Sequence, residues 1–303
     1  MPRLRLALAF LMACAMASCM PTPRPGLGDA ISALGTIQDP RITEASGLTR
    51  SVRNPDCFYV HNDSGDQPRV FLIDRDGQTR LTIRLTGAMA VDYEDIALAP
   101  GATVGTFDVC VADIGDNNAQ RRFVVVYRFP EVTCNGVAAG ATIDVEPTSY
   151  RLRYADGPTN AEAFCVHPRT GQGYILTKRN DGQSAVYALP APWDATAETT
   201  LSRVATLELP PANRLAQIIT AADIAPDGTH LAARACLDGW EWTLPPNAAD
   251  ADFANIFTTL PRKLFLPYEV QGEALAYASD GATLLTVSEG VAPILFEFAL
   301  PRR

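Results

Sequence analysis

The sequence predicts an all-β fold, a β-propeller of five four-stranded blades. The main observation is a motif that recurs five times, in which an acidic residue opens a short apolar strand. Internal repeats of this length are typical of propellers and solenoids. Six blades are the alternative count. The copies of the motif begin at Glu44, Glu94, Glu162, Thr220 and Glu273, and the fourth copy has its acid three residues later, at Asp223.

Regular turn chemistry is the second observation. Short apolar runs such as 57–61, 107–112 and 294–298 have the composition of strands, and Asp-Gly pairs separate many of them. Four strands fit between successive copies of the motif. After Glu273 only three remain, so we expect a strand at 33–38 to complete the last blade and close the ring, which leaves no free sheet edge.

Residues 1–19 are predicted to be a signal peptide. Two arginines precede an apolar run that is too short to span a bilayer. The run ends in Met16-Ala17-Ser18-Cys19, which resembles a bacterial lipobox and predicts that Cys19 is lipidated. The alternative is an ordinary signal peptide cut after Ala17 or Ser18. Both versions predict export, and the lipobox predicts a lipid anchor in the cell envelope, in the periplasm or at the cell surface.

The remaining chain is expected to form a tether and one domain. Residues 20–32 are rich in proline and glycine and would be a flexible tether. Residues 33–303 would be a single propeller domain, in which no segment is long and apolar enough to cross a membrane. One α-helix is expected at 248–260, capped by Asn247, because its apolar residues have helical spacing.

Composition excludes one class of partner and leaves the cysteines open. The net charge is −9 and no basic cluster occurs after the N-terminal segment, so a nucleic-acid-binding face is not expected. Without Cys14 and Cys19, an odd number of cysteines remains, and none forms a CxxC motif. Export permits disulfides, but the sequence does not assign their pairing.

The repeated acids are expected to gather at one mouth of a central channel. In a propeller the first strand of each blade lines the channel, and the loop after the second strand returns to the same end. The loops of blades one and two, HNDSGD (61–66) and VADIGDN (111–117), align with an offset of 50 residues, which places Asp63 on Asp113. Further residues expected at the mouth are Asp66, Asp116, Asn117, Glu162, Lys178, Arg234 and Glu289, with Asp92 and Asp95 nearby.

A divalent cation is the expected cofactor of this mouth. Crowded carboxylates in a partly desolvated funnel cannot all ionise unless some keep protons or a cation lies among them. Carboxylate and amide oxygens suit Ca²⁺ or Mg²⁺ better than zinc or copper. We expect Ca²⁺, held by Glu44, Glu94, Asp113 and Glu273. A three-histidine site is not expected, because His167 and His230 fall at turns on the opposite side.

Each of these features also has a structural interpretation. The repeated glutamates could accept hydrogen bonds from backbone N–H groups of the next blade and fix its position. The charged loops could be Asx turns. Lys178 and Arg234 could be ion-pair partners of the glutamates. So many acids in one place nevertheless favour a functional site.

No complete catalytic set can be named. The sequence has no G-x-S-x-G elbow, and the imidazole expected at the mouth is His61, beside Asp63. Either residue could act as a general base. Paired carboxylates could also hydrolyse glycosides, but the aromatic rings such a site needs are limited to Trp240 and Trp242, which could equally be blade core.

Several motifs carry a resemblance over nearly the whole chain after residue 40. TEASGL, HNDSGD, YEDIAL, VADIGDN, NAEAF and QGEALAY resemble a family of exported bacterial β-propeller proteins. More distantly, the opening acids are similar to those of phytase-like, gluconolactonase-like and TolB-like propellers, which are mostly six-bladed and often bind Ca²⁺. Phytase-like relatives imply phosphoester hydrolysis, although this mouth has only a few cations. Lactonase-like relatives imply a metal that polarises a carbonyl group and activates water.

Two functions are therefore expected. The first is an exported lipoprotein that acts as a binding or scaffold module of the cell envelope and holds a divalent cation at its acidic mouth. The alternative is a metal-dependent hydrolase of a small ester, lactone or phosphoester. The expected partners are the membrane, through the lipid anchor only, and a small molecule or an envelope protein, with no nucleic acid.

Overall fold

The computed structural model describes residues 31–209, 217–269 and 271–300, and within these ranges the protein is all-β, with 21 strands and one short helix. The predicted signal peptide, the lipidated Cys19 and all but the last two residues of the predicted tether lie outside the described residues. Alternating turns and buried apolar runs explain the strand content, because most strands are covered on both faces.

The strands form five units of four, numbered here in chain order. Unit 1 contains β2 (Ala45–Arg50), β3 (Cys57–Asn62), β4 (Arg69–Asp74) and β5 (Thr79–Leu85). Unit 2 contains β6 (Tyr93–Pro100), β7 (Phe107–Asp113), β8 (Val124–Pro130) and β10 (Thr148–Tyr154). Unit 3 contains β11 (Ala161–Val166), β12 (Gly173–Thr177), β13 (Gln183–Leu189) and β14 (Thr199–Glu208).

The last two units follow the same plan. Unit 4 contains β15 (Ile219–Ile224), β16 (His230–Ala235), β17 (Gly239–Thr243) and β18 (Arg262–Leu264). Unit 5 contains β19 (Gly272–Tyr277), β20 (Thr283–Ser288), β21 (Ile294–Ala299) and β1 (Ile31–Thr36). The strand expected at 33–38 is therefore β1, and it pairs antiparallel with β21 as predicted.

Neighbouring strands within a unit are antiparallel, and two parallel pairings extend the sheets. The strand β9 (Ala141–Val145) leaves unit 2 and pairs with β5 of unit 1, which makes a five-stranded sheet. The strand β10 pairs with β14, which joins units 2 and 3 into one eight-stranded sheet. The strand β9 was not among the predicted strands, although its alternating apolar and polar residues are the usual strand signal.

The first strands of the units form a closed cycle. β2 packs on β6, β6 on β11, β11 on β15, β15 on β19, and β19 returns to β2. Five hydrophobic clusters accompany this cycle, and each cluster is shared by two consecutive units. Burial of apolar side chains between units is therefore the main force that holds the five units together.

Each first strand shifts its register by one residue against the second strand of its unit. Such β-bulges increase the local twist and redirect a side chain. The residues at the five shifts are Ser46, Glu94, Glu162, Thr220 and Glu273. Because the shifts occur at one structural position in every unit, these five side chains are equivalent.

The predicted α-helix is wrong in type and in its cap. The segment Asp250–Thr258 is a 3₁₀ helix with a kink at Asp252, and Asn247 has a left-handed backbone outside it instead of capping it. Phe253, with two further apolar residues, packs against units 3 and 4, as expected of an apolar helical face. No helix among the described residues is long and apolar enough to span a membrane.

Candidate metal site

The equivalent bulge positions correct the alignment of the first repeat. Unit 1 places Ser46 where three other units place a glutamate. Glu44, the residue aligned from the sequence, lies before β2 and is exposed. It is therefore two residues away from the position of Glu94, and its prediction as an equivalent metal ligand is not supported by the register.

The hydroxyl residues at the bulge position join neighbouring units. The Ser46 hydroxyl donates to the backbone carbonyl of Glu94 over 2.7 Å, and the Thr220 hydroxyl donates to the carbonyl of Gly272 over 3.0 Å. In the described part of the chain, no backbone N–H group donates to the carboxylates of Glu94, Glu162 or Glu273. The structural interpretation of the repeated glutamates therefore lacks the hydrogen bonds that it requires.

Two buried aspartates make those backbone contacts instead. Asp95 Oδ2 on β6 accepts hydrogen bonds from the N–H groups of Phe164 (2.8 Å) and Ala222 (3.2 Å). Its carboxylate thereby reaches across the interior of the cycle, from unit 2 to units 3 and 4. Asp223 Oδ2 accepts a hydrogen bond of 2.8 Å from the N–H of Tyr277 in unit 5. These aspartates hold the inner strands together.

The second-strand loops also align differently from the prediction. Asn62 Oδ1 accepts hydrogen bonds from the N–H groups of Thr43 and Glu44, and the two Asp113 oxygens accept hydrogen bonds from those of Val91 and Asp92. Asn62, and not Asp63, therefore corresponds to Asp113. The predicted offset of 50 residues between these loops is therefore wrong by one residue, since Asn62 and Asp113 are 51 residues apart.

Three predicted mouth carboxylates are engaged in their own loops. Asp113 forms an ion pair with Arg121 at 2.7 Å in addition to its backbone contacts. Asp66 binds the guanidinium group of Arg69, and Asp116 accepts hydrogen bonds from two backbone N–H groups. These contacts agree with the Asx-turn alternative. Asn117 is exposed, and its side chain accepts a hydrogen bond from Asn160.

A tight group of carboxylates remains beside these loops. Asp63, Asp92 and Glu94 each present an oxygen atom, and these atoms lie within 4.8 Å of one another. Asp63 and Asp92 are half-buried and Glu94 is buried. The group combines one residue predicted as a ligand, one predicted as a base, and Asp92, which was expected only in the neighbourhood. We call these three residues the carboxylate triad.

Gly115 makes room for the triad. A Cβ atom on this residue would lie 2.2 Å from Glu94 Oε1 and 2.4 Å from the carboxyl carbon of Asp92, so any larger residue would displace both acids. Its N–H also donates to the Asp92 carbonyl over 3.2 Å. The glycine in the ADIGDN motif is therefore explained by this close approach to two acidic side chains.

Burial and mutual repulsion perturb the triad. Burial, followed by the charges of Glu162, Asp63 and Asp92, holds the pKa of Glu94 well above its usual range. Burial and the charge of Asp63 raise the pKa of Asp92 to about 6. Without a counter-charge, three ionised carboxylates in this space would repel one another, so the group requires a proton or a cation.

Three further glutamates surround the triad and belong to the same electrostatic network. Burial is the largest cause that raises the pKa of Glu162, Glu273 and Glu289 to about 7 each. Lys178 forms an ion pair with Glu162 and counteracts part of this shift. The predicted mouth residues Glu162, Lys178, Glu273 and Glu289 are therefore brought together, and Asp63 interacts with all three glutamates.

The other predicted cation has a different partner. Arg234 is fully buried, and it pairs with Glu269 at 2.9 Å and donates to the Ala274 carbonyl over 3.0 Å. Gly272 allows this position, since a Cβ atom there would overlap the guanidinium group. Arg234 is thus mainly an internal ion pair, although its charge also lowers the pKa of Glu273.

His61 is not available to a solute at this site. Its ring is completely buried, its Nδ1 lies 2.9 Å from the Asn62 carbonyl oxygen, and it stands edge-on to Tyr93. Burial lowers its pKa, so the ring is neutral near pH 7. This position does not suit the predicted role as a general base. Trp240 and Trp242 are also buried, and they belong to the core between units 3 and 4, as the structural alternative predicted.

The donor set of the triad fits a hard divalent cation. Calcium binds oxygen ligands at about 2.3–2.6 Å, so two ligands of one ion are at most about 5 Å apart, which the 4.8 Å spacing satisfies. Neither sulfur nor imidazole belongs to the group, which disfavours zinc and copper. The sequence signal that could have identified Asp92 is the spacing Asp92-Tyr93-Glu94 ahead of β6.

Comparison with known proteins does not assign this chain to a family. The chain matches no protein-family model, and no curated protein matches it at a significant level.

Proposed function

We propose that this chain is an exported five-bladed β-propeller that acts as a binding or scaffold module of the cell envelope. Its acidic mouth would hold a divalent cation, and Ca²⁺ is the ion we propose. The observation that carries the cation site is the carboxylate triad of Asp63, Asp92 and Glu94 over Gly115. The triad would hold the ion, and Glu162, Glu273 and Glu289 would strengthen the negative field around it.

Three features support five blades. The inner strands form a closed cycle of five, each is followed by antiparallel strands of its own unit, and the cores lie between consecutive units. The fifth unit is completed by β1 from the beginning of the described chain. A sixth blade would need a sixth inner strand, and the cycle of first strands closes with five among the described residues.

Binding ranks ahead of catalysis because of what surrounds the triad. In the described part of the chain, the nearest histidine is buried, and the acidic groups are not paired with an activated nucleophile. A bound cation with an open coordination position could instead recognise a carboxylate, phosphate or peptide carbonyl of a partner. This would be a small molecule or an exposed segment of an envelope protein.

Glu289 favours the hydrolase as a second candidate. Its side chain is half-buried, its Oε2 accepts a hydrogen bond from Gln271 at 2.7 Å, and its pKa is raised to about 7 by burial and by Glu273. A carboxyl group with such a pKa can transfer protons near neutral pH. Metal-dependent turnover of small esters, lactones or phosphoesters that is lost in Glu289→Gln would establish this function, and absence of turnover would leave binding.

The first experiment is calorimetric titration of the EDTA-treated protein with Ca²⁺ and Mg²⁺. We expect one Ca²⁺ per chain and a melting temperature about 5–10 °C higher at saturation, because a ligand of the native state stabilises it by mass action. Glu94→Gln should weaken binding at least tenfold, which corresponds to about 1.4 kcal/mol.

The matched control is Glu146→Gln, which makes the same chemical change at an exposed glutamate between β9 and β10, outside the acidic network. It should bind Ca²⁺ like the natural protein. Equal losses in both variants would show unspecific attraction of cations, and no binding by a folded natural protein would overturn the proposed site. Circular dichroism of both variants would establish that they are folded.

The export and lipid anchor remain proposals from residues 1–19. Labelling of the full chain with a radioactive fatty acid in a bacterial host should mark the natural protein and not Cys19→Ala. Unlabelled protein found in the soluble periplasmic fraction would instead support the ordinary signal peptide.

A further inference from the structure

Two cysteines from different units meet away from the acidic end. Cys57 begins β3 in unit 1, and Cys134 lies in the segment between β8 and β9. Both belong to the hydrophobic cluster shared by units 1 and 2, where Cys57 is buried and Cys134 half-buried. Cys134 lies close enough to Cys57 to contribute to the raised pKa of the Cys57 thiol.

Asn54 fixes the backbone of both cysteines. Its side-chain oxygen accepts a hydrogen bond of 2.9 Å from the N–H of Cys134, and its own carbonyl accepts one of 3.1 Å from the N–H of Cys57. Its Nδ2 donates to the Val132 carbonyl over 2.8 Å. Asn54 is buried, so these contacts hold the segment before β9 against the start of β3 and keep the thiols together.

We propose that Cys57 and Cys134 form a disulfide bond in the mature protein. The bond would attach the segment that carries β9 to unit 1, and so would link units 1 and 2 covalently. The expectation that this protein is exported agrees with the proposal, because disulfides persist in oxidising compartments. The pairing itself rests on the shared hydrophobic cluster and on the hydrogen bonds of Asn54 to both cysteines, and it can be tested without reference to export or to the cation.

The reaction needs a disulfide oxidant, such as an oxidoreductase or oxidised glutathione. Cys134 is the more accessible thiol, so its thiolate attacks the oxidant, forms a mixed disulfide and releases one oxidant thiol. The Cys57 thiolate then attacks Sγ of Cys134 and releases the second oxidant thiol. Two electrons pass from the protein to the oxidant, and the two cysteine protons end on its thiols. Burial and the neighbouring Cys134 raise the pKa of the Cys57 thiol to about 11, so this second step should be favoured by mildly alkaline pH.

The other three described cysteines lie apart from this pair. Cys110 and Cys165 are fully buried in β7 and β11, in different hydrophobic clusters. Cys236 is half-buried close to Glu273 and Lys178, at the acidic end. Cys236→Ser is therefore the matched control, because it removes a partly accessible thiol outside the pair.

The test is peptide mapping of the full chain after equilibration in a glutathione redox buffer. Trypsin releases Cys57 in peptide 54–69 and Cys134 in peptide 129–151, each with a single cysteine. We expect these peptides to appear linked, with a mass 2 Da below their sum, and to separate after reduction. The same linked pair is expected in Cys236→Ser, and not in Cys57→Ser or Cys134→Ser.

A second readout covers variants that fold poorly. Reduction should lower the melting temperature of the natural protein by on the order of 10 °C, since the bond closes a long loop, and should leave the Cys57→Ser/Cys134→Ser double variant unchanged. Free thiols at both positions after equilibration, or a linked pair that includes another cysteine, would overturn the proposal. Calcium binding has a separate readout, so failure of the cation site would not imitate either result.

Discussion

Two sets of buried carboxylates lie close together in this protein and behave in opposite ways. Asp95 and Asp223 accept backbone hydrogen bonds from neighbouring inner strands. Glu94 and Glu273 occupy the bulge positions of their strands. They accept no backbone hydrogen bond from the described residues, and other acids are close to them. Both sets are removed from water, but only the first has donors that replace the lost hydration. A buried acid is thus structural where backbone donors meet it and available to a ligand where they do not.

The largest expected effect is at Asp95. Asp95→Ala leaves the N–H groups of Phe164 and Ala222 buried without an acceptor, and it opens a void between three inner strands. We expect a loss of about 3–5 kcal/mol in the free energy of unfolding, measured by urea denaturation. Glu94→Gln should change the same quantity by less than about 1 kcal/mol in EDTA, because its carboxylate accepts no backbone hydrogen bond there.

Equal destabilisation by the two substitutions would remove the distinction between the sets. Asp95→Asn sharpens the comparison, since it keeps the size of the side chain and one acceptor oxygen but turns an NH₂ group toward the backbone donors. Its stability should lie between those of Asp95→Ala and the natural protein.

The second effect is the pH dependence of the cation-free protein. Glu162 and Glu273 have pKa values of about 7 in the folded protein, whereas an unfolded glutamate titrates near 4.3. Between these values the folded state binds more protons than the unfolded state, so stability is highest at low pH and is lost as the pH rises. Because two glutamates contribute, we expect a fall on the order of 5 kcal/mol between pH 5 and pH 8 in EDTA, measured by denaturation at several pH values.

Saturating Ca²⁺ should remove most of this slope, because the cation replaces the protons as the counter-charge. A stability that rises from pH 5 to pH 8 in EDTA would contradict the assigned shifts. Asp39, whose pKa is lowered to about 2 mainly by its hydrogen bond with Arg41, works in the opposite direction only below about pH 4 and does not obscure the test.

The smallest expected effect is a gain in stability. In EDTA at pH 8, Glu273→Gln removes a buried charge that no donor compensates, and we expect the free energy of unfolding to rise by about 1 kcal/mol. At pH 5 the natural Glu273 is already protonated, so the substitution should have little effect. Thermal melting at both pH values tests this, with Glu146→Gln, at an exposed glutamate outside the acidic network, as the control that changes stability at neither pH. A loss of stability at pH 8 would place Glu273 with the structural set.

The sequence was sufficient for most strands, β9 excepted, and for the place of β1 in the last unit, because these depend on local apolar patterns and turn residues. It was insufficient wherever a one-residue shift mattered. Glu44 and Ser46 are two residues apart, and only the pairing of β2 with β3 shows which of them occupies the bulge position. The HNDSGD and ADIGDN loops look alike, but the backbone contacts of Asn62 and Asp113 set a different alignment.

The site was predicted only in part, because some of its contacts join strands that are distant in sequence. The gathering of Glu94, Glu162 and Glu273 follows from their repeated position, and that of Glu289 from its place directly after the second strand of unit 5. The role of Asp95 could not be predicted, because its donors come from two distant strands. The burial of His61 depends on Gly47, where a Cβ atom would lie 2.3 Å from the His61 ring, and no local pattern reports such a contact between strands. The 3₁₀ helix at Asp250–Thr258 shows that apolar residues spaced three and four apart do not distinguish a 3₁₀ helix from an α-helix.

The pairing of β1 with β21 has a consequence for the order of folding. Unit 5 takes its outer strand from the beginning of the described chain and its other three from the end. During synthesis β1 therefore stays unpaired until β21 has appeared, while units 1 to 4 can already assemble from contiguous segments. Contacts so distant in sequence form late and slowly. The last step of assembly should then be the docking of unit 5 between units 4 and 1, and a partner that holds an exposed strand during this delay would assist it.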